Sequence, residues 1–102
     1  MAKEIILYNL APGVTDEQFK EYVDTEKGPY IDSLPSVKKY ELVRIDSCRS
    51  GVIPFKYCGI VHLNSLDDFL NIDTKTEEYK AFTAKMNSLT SEIHICFGEE
   101  IH

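Results

Sequence analysis

The sequence predicts an α+β domain in which a four-stranded antiparallel sheet carries two helices on one face. Three observations support this. Stretches rich in β-formers alternate with helical patterns in the order βαββαβ. No segment repeats and no linker divides the chain, so residues 1–102 form a single domain. The composition, 43% hydrophobic and 27% charged, is that of a globular chain and excludes a disordered or collagen-like one.

Residues 4–10 form the first strand, which stops at Ala11-Pro12-Gly13. Thr15 before Asp16, Glu17 and Gln18 has the form of a Thr-x-x-Gln capping box with acids in the first turn, so a helix starts there. Phe19, Tyr22 and Val23 repeat at helical spacing, and Lys27-Gly28-Pro29 ends or sharply bends the helix near residue 27. Tyr30, Ile31 and Leu34 predict one more turn before Pro35. Residues 37–45 read as the second strand, with Tyr40, Leu42 and Arg44 on one parity and Glu41, Val43 and Ile45 on the other. The polar stretch 46–54 connects to a third strand over 55–63. Ser65 and Asp68 cap a short helical turn through Phe69 and Leu70, after which Asp73 to Thr76 opens a longer helix. Its buried stripe is Tyr79, Phe82, Met86 and Leu89, and the last strand covers about residues 91–97.

This order is that of the ferredoxin-like βαββαβ arrangement. An antiparallel sheet with one wet face should alternate apolar with polar residues, yet the first, third and last strands are apolar at nearly every position. Two helices cover only one face. A second copy of the sheet, related by a two-fold axis, is the economical cover for the other. A homodimer also suits a chain this short, which buries only about 65% of its unfolded surface alone.

Several classes drop out. The net charge of −6 argues against nucleic acid, whose phosphates are held by clustered Lys and Arg. The longest apolar run is far below the roughly 20 residues that span a bilayer, so no membrane partner is expected. The first residues show neither a basic flank nor a cleavage site, and the expected location is cytoplasmic. Cys48, Cys58 and Cys96 are odd in number and widely spaced, which reads as reduced thiols.

Two families share the predicted topology. Leu7-Tyr8-Asn9-Leu10 followed by Gly13 to Phe19 resembles the start of an RNA recognition motif. Its other diagnostic strand needs exposed rings, and here Cys58 and Ile60 stand where those rings belong. Nearly the whole chain resembles the dimeric α+β barrel superfamily, whose subunits pack sheet against sheet. The likeness is carried by the turn from Asn9 to Gly13, the helix with Phe19 and Tyr22, the bend before Pro29, the Leu34-Pro35-Ser36-Val37 entry to strand two, and Tyr40 with Arg44. Leu34 to Val37, Phe55-Lys56-Tyr57 and the late helix with Phe82 are most similar to the RedY/HapK-like proteins associated with tripyrrole pathways. The superfamily includes cofactor-free monooxygenases, cyclases, isomerases and haem-degrading enzymes, so the fold does not name a reaction.

In the resembling cyclases, a His/Tyr pair near the cavity between sheet and helices moves or orients a proton. The resemblance therefore implies catalytic roles for His62 and Tyr40. His62 also stands out by itself: it is an imidazole, a side-chain type suited to proton transfer, in an otherwise apolar strand, or else a hydrogen-bonded structural histidine. Tyr8, Tyr22 and Tyr30 are amphipathic rings able to line an apolar cavity and orient a polar group, although Tyr22 also fits a plain helix stripe. Arg44 is a candidate for holding a ligand oxygen or a surface acid, and Asn9 is a cavity amide or a turn-former. His62 and His94 lie on strands two spacings apart, about 10 Å, too far to share a zinc ion, so no metal is expected. There is no phosphate loop, dinucleotide fingerprint or Ser/His/Asp pattern, and no cofactor is expected. The chain is expected to bind a small apolar or aromatic molecule such as a polyketide-like or pyrrole intermediate. Two roles fit: a cofactor-free enzyme working by acid–base chemistry, and a non-catalytic accessory protein that holds the intermediate.

Overall fold

The computed structural model describes residues 1–102. Strands β1 (Ala2–Leu10), β2 (Val37–Arg44), β3 (Tyr57–Leu63) and β4 (Thr90–Glu99) form one sheet in the order β2-β3-β1-β4. Every neighbouring pair is antiparallel, as the ferredoxin-like arrangement requires. In β1, Ile6 stands opposite Gly59 and Ile95, and Tyr8 opposite Tyr57. Directly opposed residues share a face, so this register sorts the side chains. Glu4, Ile6, Tyr8, Tyr40, Tyr57 and Val61 point toward the helices. Ile5, Leu7, Val43, Cys58, Ile60 and Cys96 point away from them, with His62 and Glu41 on the same outer face.

The capping box forms: Gln18 N donates to Thr15 Oγ1 at 3.1 Å and Thr15 N donates to Gln18 Oε1 at 3.0 Å. Helix α1 (Asp16–Tyr22) does not stop at Lys27-Gly28-Pro29. It runs through a π-helical turn (Val23–Lys27) into α2 (Gly28–Ser33). Pro29 has no N–H to give and its ring crowds the preceding turn, and the wider turn absorbs both defects. Gly28 donates back to Val23 O, and a Cβ at Gly28 would lie 2.9 Å from that oxygen.

Helix α3 (Leu66–Asn71) is capped by Ser65 as its spacing predicts, and α4 (Glu77–Leu89) by Thr76. Asp73 lies in a 3₁₀ turn (Asp73–Lys75) before α4, where its buried carboxylate accepts from Ser36 N at 2.9 Å and Ser36 Oγ at 3.2 Å. That bond ties the turn to the entry of β2. The third strand starts at Tyr57 rather than Phe55, because Lys56 N donates to Asn9 Oδ1 instead of to the ladder.

The core between helices and sheet has two parts. One gathers Ile31, Val61, Leu63 and Phe69; the other gathers Tyr8, Phe19, Tyr57 and Met86. No helix is long and apolar enough to cross a membrane.

Candidate functional site

Phe19, Val23, Lys27 and Ile31 follow one another at intervals of four, which puts them on one stripe of the continuous helix facing the sheet. Lys27 is thus carried into the core, where it is 1% exposed. Its Nζ donates to Tyr8 Oη at 3.1 Å. The same nitrogen sits 5.1, 5.4 and 5.4 Å from the ring centroids of Tyr8, Phe19 and Tyr40. Three aromatic faces and one hydroxyl make a cage for an amine.

Glu4 reaches the same interior from β1, on the parity of Ile6 and Tyr8, and is 5% exposed. Burial raises its carboxyl to about 7, and the Lys27 charge pulls it back only partly. Burial lowers the Lys27 amine to about 7, and Glu4 opposes that shift. Burying two ionisable groups in an apolar interior costs several kcal/mol in order of magnitude, and near neutrality it leaves acid and amine each able to give or take a proton. Tyr8 and Tyr40 are also pushed up by burial and stay protonated. The Tyr40 hydroxyl is buried and makes no hydrogen bond of good geometry, although it lies close enough to the Tyr8 hydroxyl to interact with it.

Residues of this cluster line two separate concavities. An open cleft of about 720 Å³ lies between the α1–α2 helix and β2, with Phe19, Tyr40, Leu42 and Tyr57 in its wall and charged side chains, among them Asp16, Asp24, Asp32 and Arg44, making up most of the rest. A smaller chamber of about 60 Å³ lies between the sheet and α4, lined by Glu4, Ile6, Lys27, Phe82, Met86 and Ile95. Tyr40 lines the first and Lys27 the second, and the Lys27 amine lies 5.4 Å from the Tyr40 ring centroid. At the cleft wall, Asp16 accepts from Tyr57 Oη at 2.6 Å and Lys56 Nζ at 2.7 Å. These bonds, Lys56 first, hold the Asp16 carboxyl below its usual range.

The structure brings together only some of the residues expected from sequence. Tyr8 and Tyr40 belong to the cluster. His62 does not: it is on the outer face of the sheet, with Nε2 2.5 Å from Glu41 Oε1. His62 and Tyr40 lie on opposite faces and cannot work as a pair in one cavity, which corrects that expectation. The physical reason is parity: His62 opposes Lys3 and Lys39, whereas Tyr40 opposes Val61. Arg44 stands at the cleft rim, exposed, its Nε bonded to Asp46 Oδ1 at 2.7 Å. Asn9 ties the end of β1 to the segment before β3: its Nδ2 donates to Pro54 O at 3.0 Å and its Oδ1 accepts from Lys56 N at 2.9 Å. Tyr22 packs beside Phe19 under Lys85, outside both concavities. Tyr30 packs at a tilt against Phe82, 5.2 Å between ring centroids, with its hydroxyl buried.

Lys27 and Glu4 were not expected from the sequence, yet both left a signal. Lys27 occupies an apolar-stripe position, and Glu4 shares its parity with Ile6 and Tyr8. Lys27 is masked by the Gly-Pro after it, which makes it look like the basic end of a helix.

Comparison with known proteins agrees with the geometry at the level of fold. The structure of HapK from Hahella chejuensis superposes with a TM-score of 0.80 at 17% identity, covering 99% of this chain and 93% of that one. A dimeric ferredoxin-like protein of unknown function from Thermobifida fusca gives 0.73 at 14% identity, covering 97% and 90%. SnoaB, a cofactor-independent oxygenase from Streptomyces nogalater, gives 0.75 at 11%, covering 99% and 93%. At these identities the likeness shows the fold alone. No curated protein matches the chain. The family described as REDY-like protein HapK matches residues 2–101 of the chain, which therefore belongs to that family.

Proposed function

We propose that the chain is a dimeric small-molecule-binding protein that holds an apolar or aromatic molecule between helices and sheet and acts on it by acid–base chemistry without a cofactor. One observation carries this reading: a lysine amine buried in an aromatic cage and coupled through its charge to a buried carboxyl, both side chains lining one small chamber. A fold gains nothing in stability from two such groups, and perturbed ionisable side chains gather where ligands are bound or converted. The neutral amine of Lys27 accepts a proton from an activated C–H or O–H of the ligand. The protonated carboxyl of Glu4 and the Tyr8 hydroxyl are the proton donors for the oxygen that becomes negative. Tyr40, rather than His62, is the tyrosine that orients it.

The dimer follows from the outer face of the sheet, where Ile5, Leu7, Val43, Cys58 and Ile60 form an apolar surface that no helix covers. The similar Thermobifida protein is described as dimeric. One feature favours a holding role without turnover. The Tyr40 hydroxyl, which makes no hydrogen bond of good geometry, gains one from any ligand oxygen placed there.

Titration of the isotope-labelled protein with acetophenone, followed by NMR, tests the site. Shifts at Ile6, Val61 and Met86, weakened about tenfold or more by Lys27→Met, are the expected result. Shifts confined to the outer sheet face would overturn the assignment. Hydrogen–deuterium exchange of the acetophenone methyl group in heavy water separates the roles: acceleration by the wild-type protein but not by Lys27→Met marks catalysis, and ligand returned unexchanged marks holding.

A further inference from the structure

The Lys27 amine is placed for more than proton transfer. It is the nitrogen of a side chain fixed along its length by core packing. Its donor bond goes to Tyr8, and Lys27 lines a mostly apolar chamber with Ile6, Phe82 and Met86. Glu4 lines the same chamber, so the side chains of a lysine and a carboxylic acid border one small volume. The chamber reaches the surface beside β4, where Ile95 is 55% exposed.

We infer that Lys27 is a covalent site for carbonyl compounds, forming a reversible imine with an aldehyde or ketone whose apolar tail lies along Phe82, Met86 and Ile95. This deepens the proposed function and rests on its placing of the ligand. The Nζ lone pair attacks the carbonyl carbon, a C–N bond forms, and the carbonyl oxygen takes the Glu4 proton. One N–H proton of the attacking nitrogen restores the Glu4 acid, which gives it to the hydroxyl as the C–O bond breaks and water leaves; the second N–H proton then returns to Glu4 and leaves the C=N bond. The balance is amine plus carbonyl giving imine plus water, with no oxidant or reductant, and water reverses it. A lysine kept partly neutral near pH 7 is the one kind of lysine able to do this at that pH. Lysines in water are protonated and lack the lone pair. At about 60 Å³ the chamber holds the carbonyl head only, so the compound's bulk extends toward the mouth at β4.

The experiment is reduction of the intact protein at pH 7 with sodium cyanoborohydride in the presence of benzaldehyde, followed by peptide mass mapping. The expected result is a benzyl adduct concentrated on Lys27, at least tenfold above any other lysine, and abolished at that peptide by Lys27→Met. An adduct spread evenly over the lysines, as in the urea-unfolded chain, would overturn the inference. Benzyl alcohol, which has the same ring but cannot form an imine, separates the two levels. If it shifts the NMR signals of Ile6 and Met86 while benzaldehyde leaves no Lys27 adduct, the imine is wrong and the binding site stands. If neither compound engages the chamber, both fall. Tyr8→Phe, which keeps the ring and removes only the hydroxyl, is expected to retain the adduct and slow its formation severalfold.

Discussion

At the scale of single residues, Glu4 and Lys27 leave a signature in stability. Between about 7 and its ordinary 10.5 the Lys27 amine is protonated in the unfolded chain and neutral in the folded one. The unfolded state then binds more protons, and stability rises with pH across that window. Glu4 runs the other way: between 4.5 and about 7 the folded state keeps a proton the unfolded state has lost, so stability falls as pH rises. The pair is therefore most costly near pH 7. Replacing both by Glu4→Leu with Lys27→Met is expected to raise stability by about 1–4 kcal/mol and to abolish ligand binding. Denaturant midpoints at pH 5, 7 and 9 check this, and the gain over wild type should be largest at pH 7. His62→Gln, by contrast, removes the bond to Glu41 on the far side of the sheet and should leave binding at Lys27 unchanged. A tenfold loss of affinity in a titration would return His62 to the site.

At the scale of elements, the π-helical turn determines where Lys27 points. Gly28→Ala would bring a methyl group to 2.9 Å from Val23 O. The expected cost is about 1–3 kcal/mol, visible in chemical denaturation, with a weakened site because the cage loses its angle. Thr15→Ala removes the α1 cap and should cost about 1 kcal/mol while leaving the site intact.

These elements also show which parts of the fold could be read from the sequence. Caps at Thr15 and Ser65, strand parity in β2 and the order of elements are local signals, and each has its counterpart in the structure. The site was only half readable. Tyr8 and Tyr40 reveal themselves as rings on inward parities, but the depth of Lys27 depends on Gly28-Pro29 widening a helix instead of ending it. That outcome is decided by tertiary packing. His62 misled because a polar residue in an apolar strand has two faces to choose from, and only pairing with β2 and β1 settles which.

At the scale of the whole molecule, the sheet has one face under helices and one bare apolar face, and the proposed dimer closes the second. Ile60→Asp places a charge in the middle of that surface, opposite Ile5 and Glu41, without touching the helix-side core. Sedimentation at micromolar concentration should show a dimer for the wild type and a monomer for Ile60→Asp. A wild-type monomer would remove the dimer from the account.

The measurement that bears most directly on the central claim is the titration of Lys27 itself, followed through its side-chain carbon and nitrogen signals by NMR in the protein labelled at lysine. The account predicts a midpoint near 7, moving lower in Glu4→Gln as the neighbouring negative charge is lost. A midpoint near the ordinary 10.5 in the folded wild type would contradict it, because the amine would then be an ordinary solvated charge with no free lone pair at neutral pH.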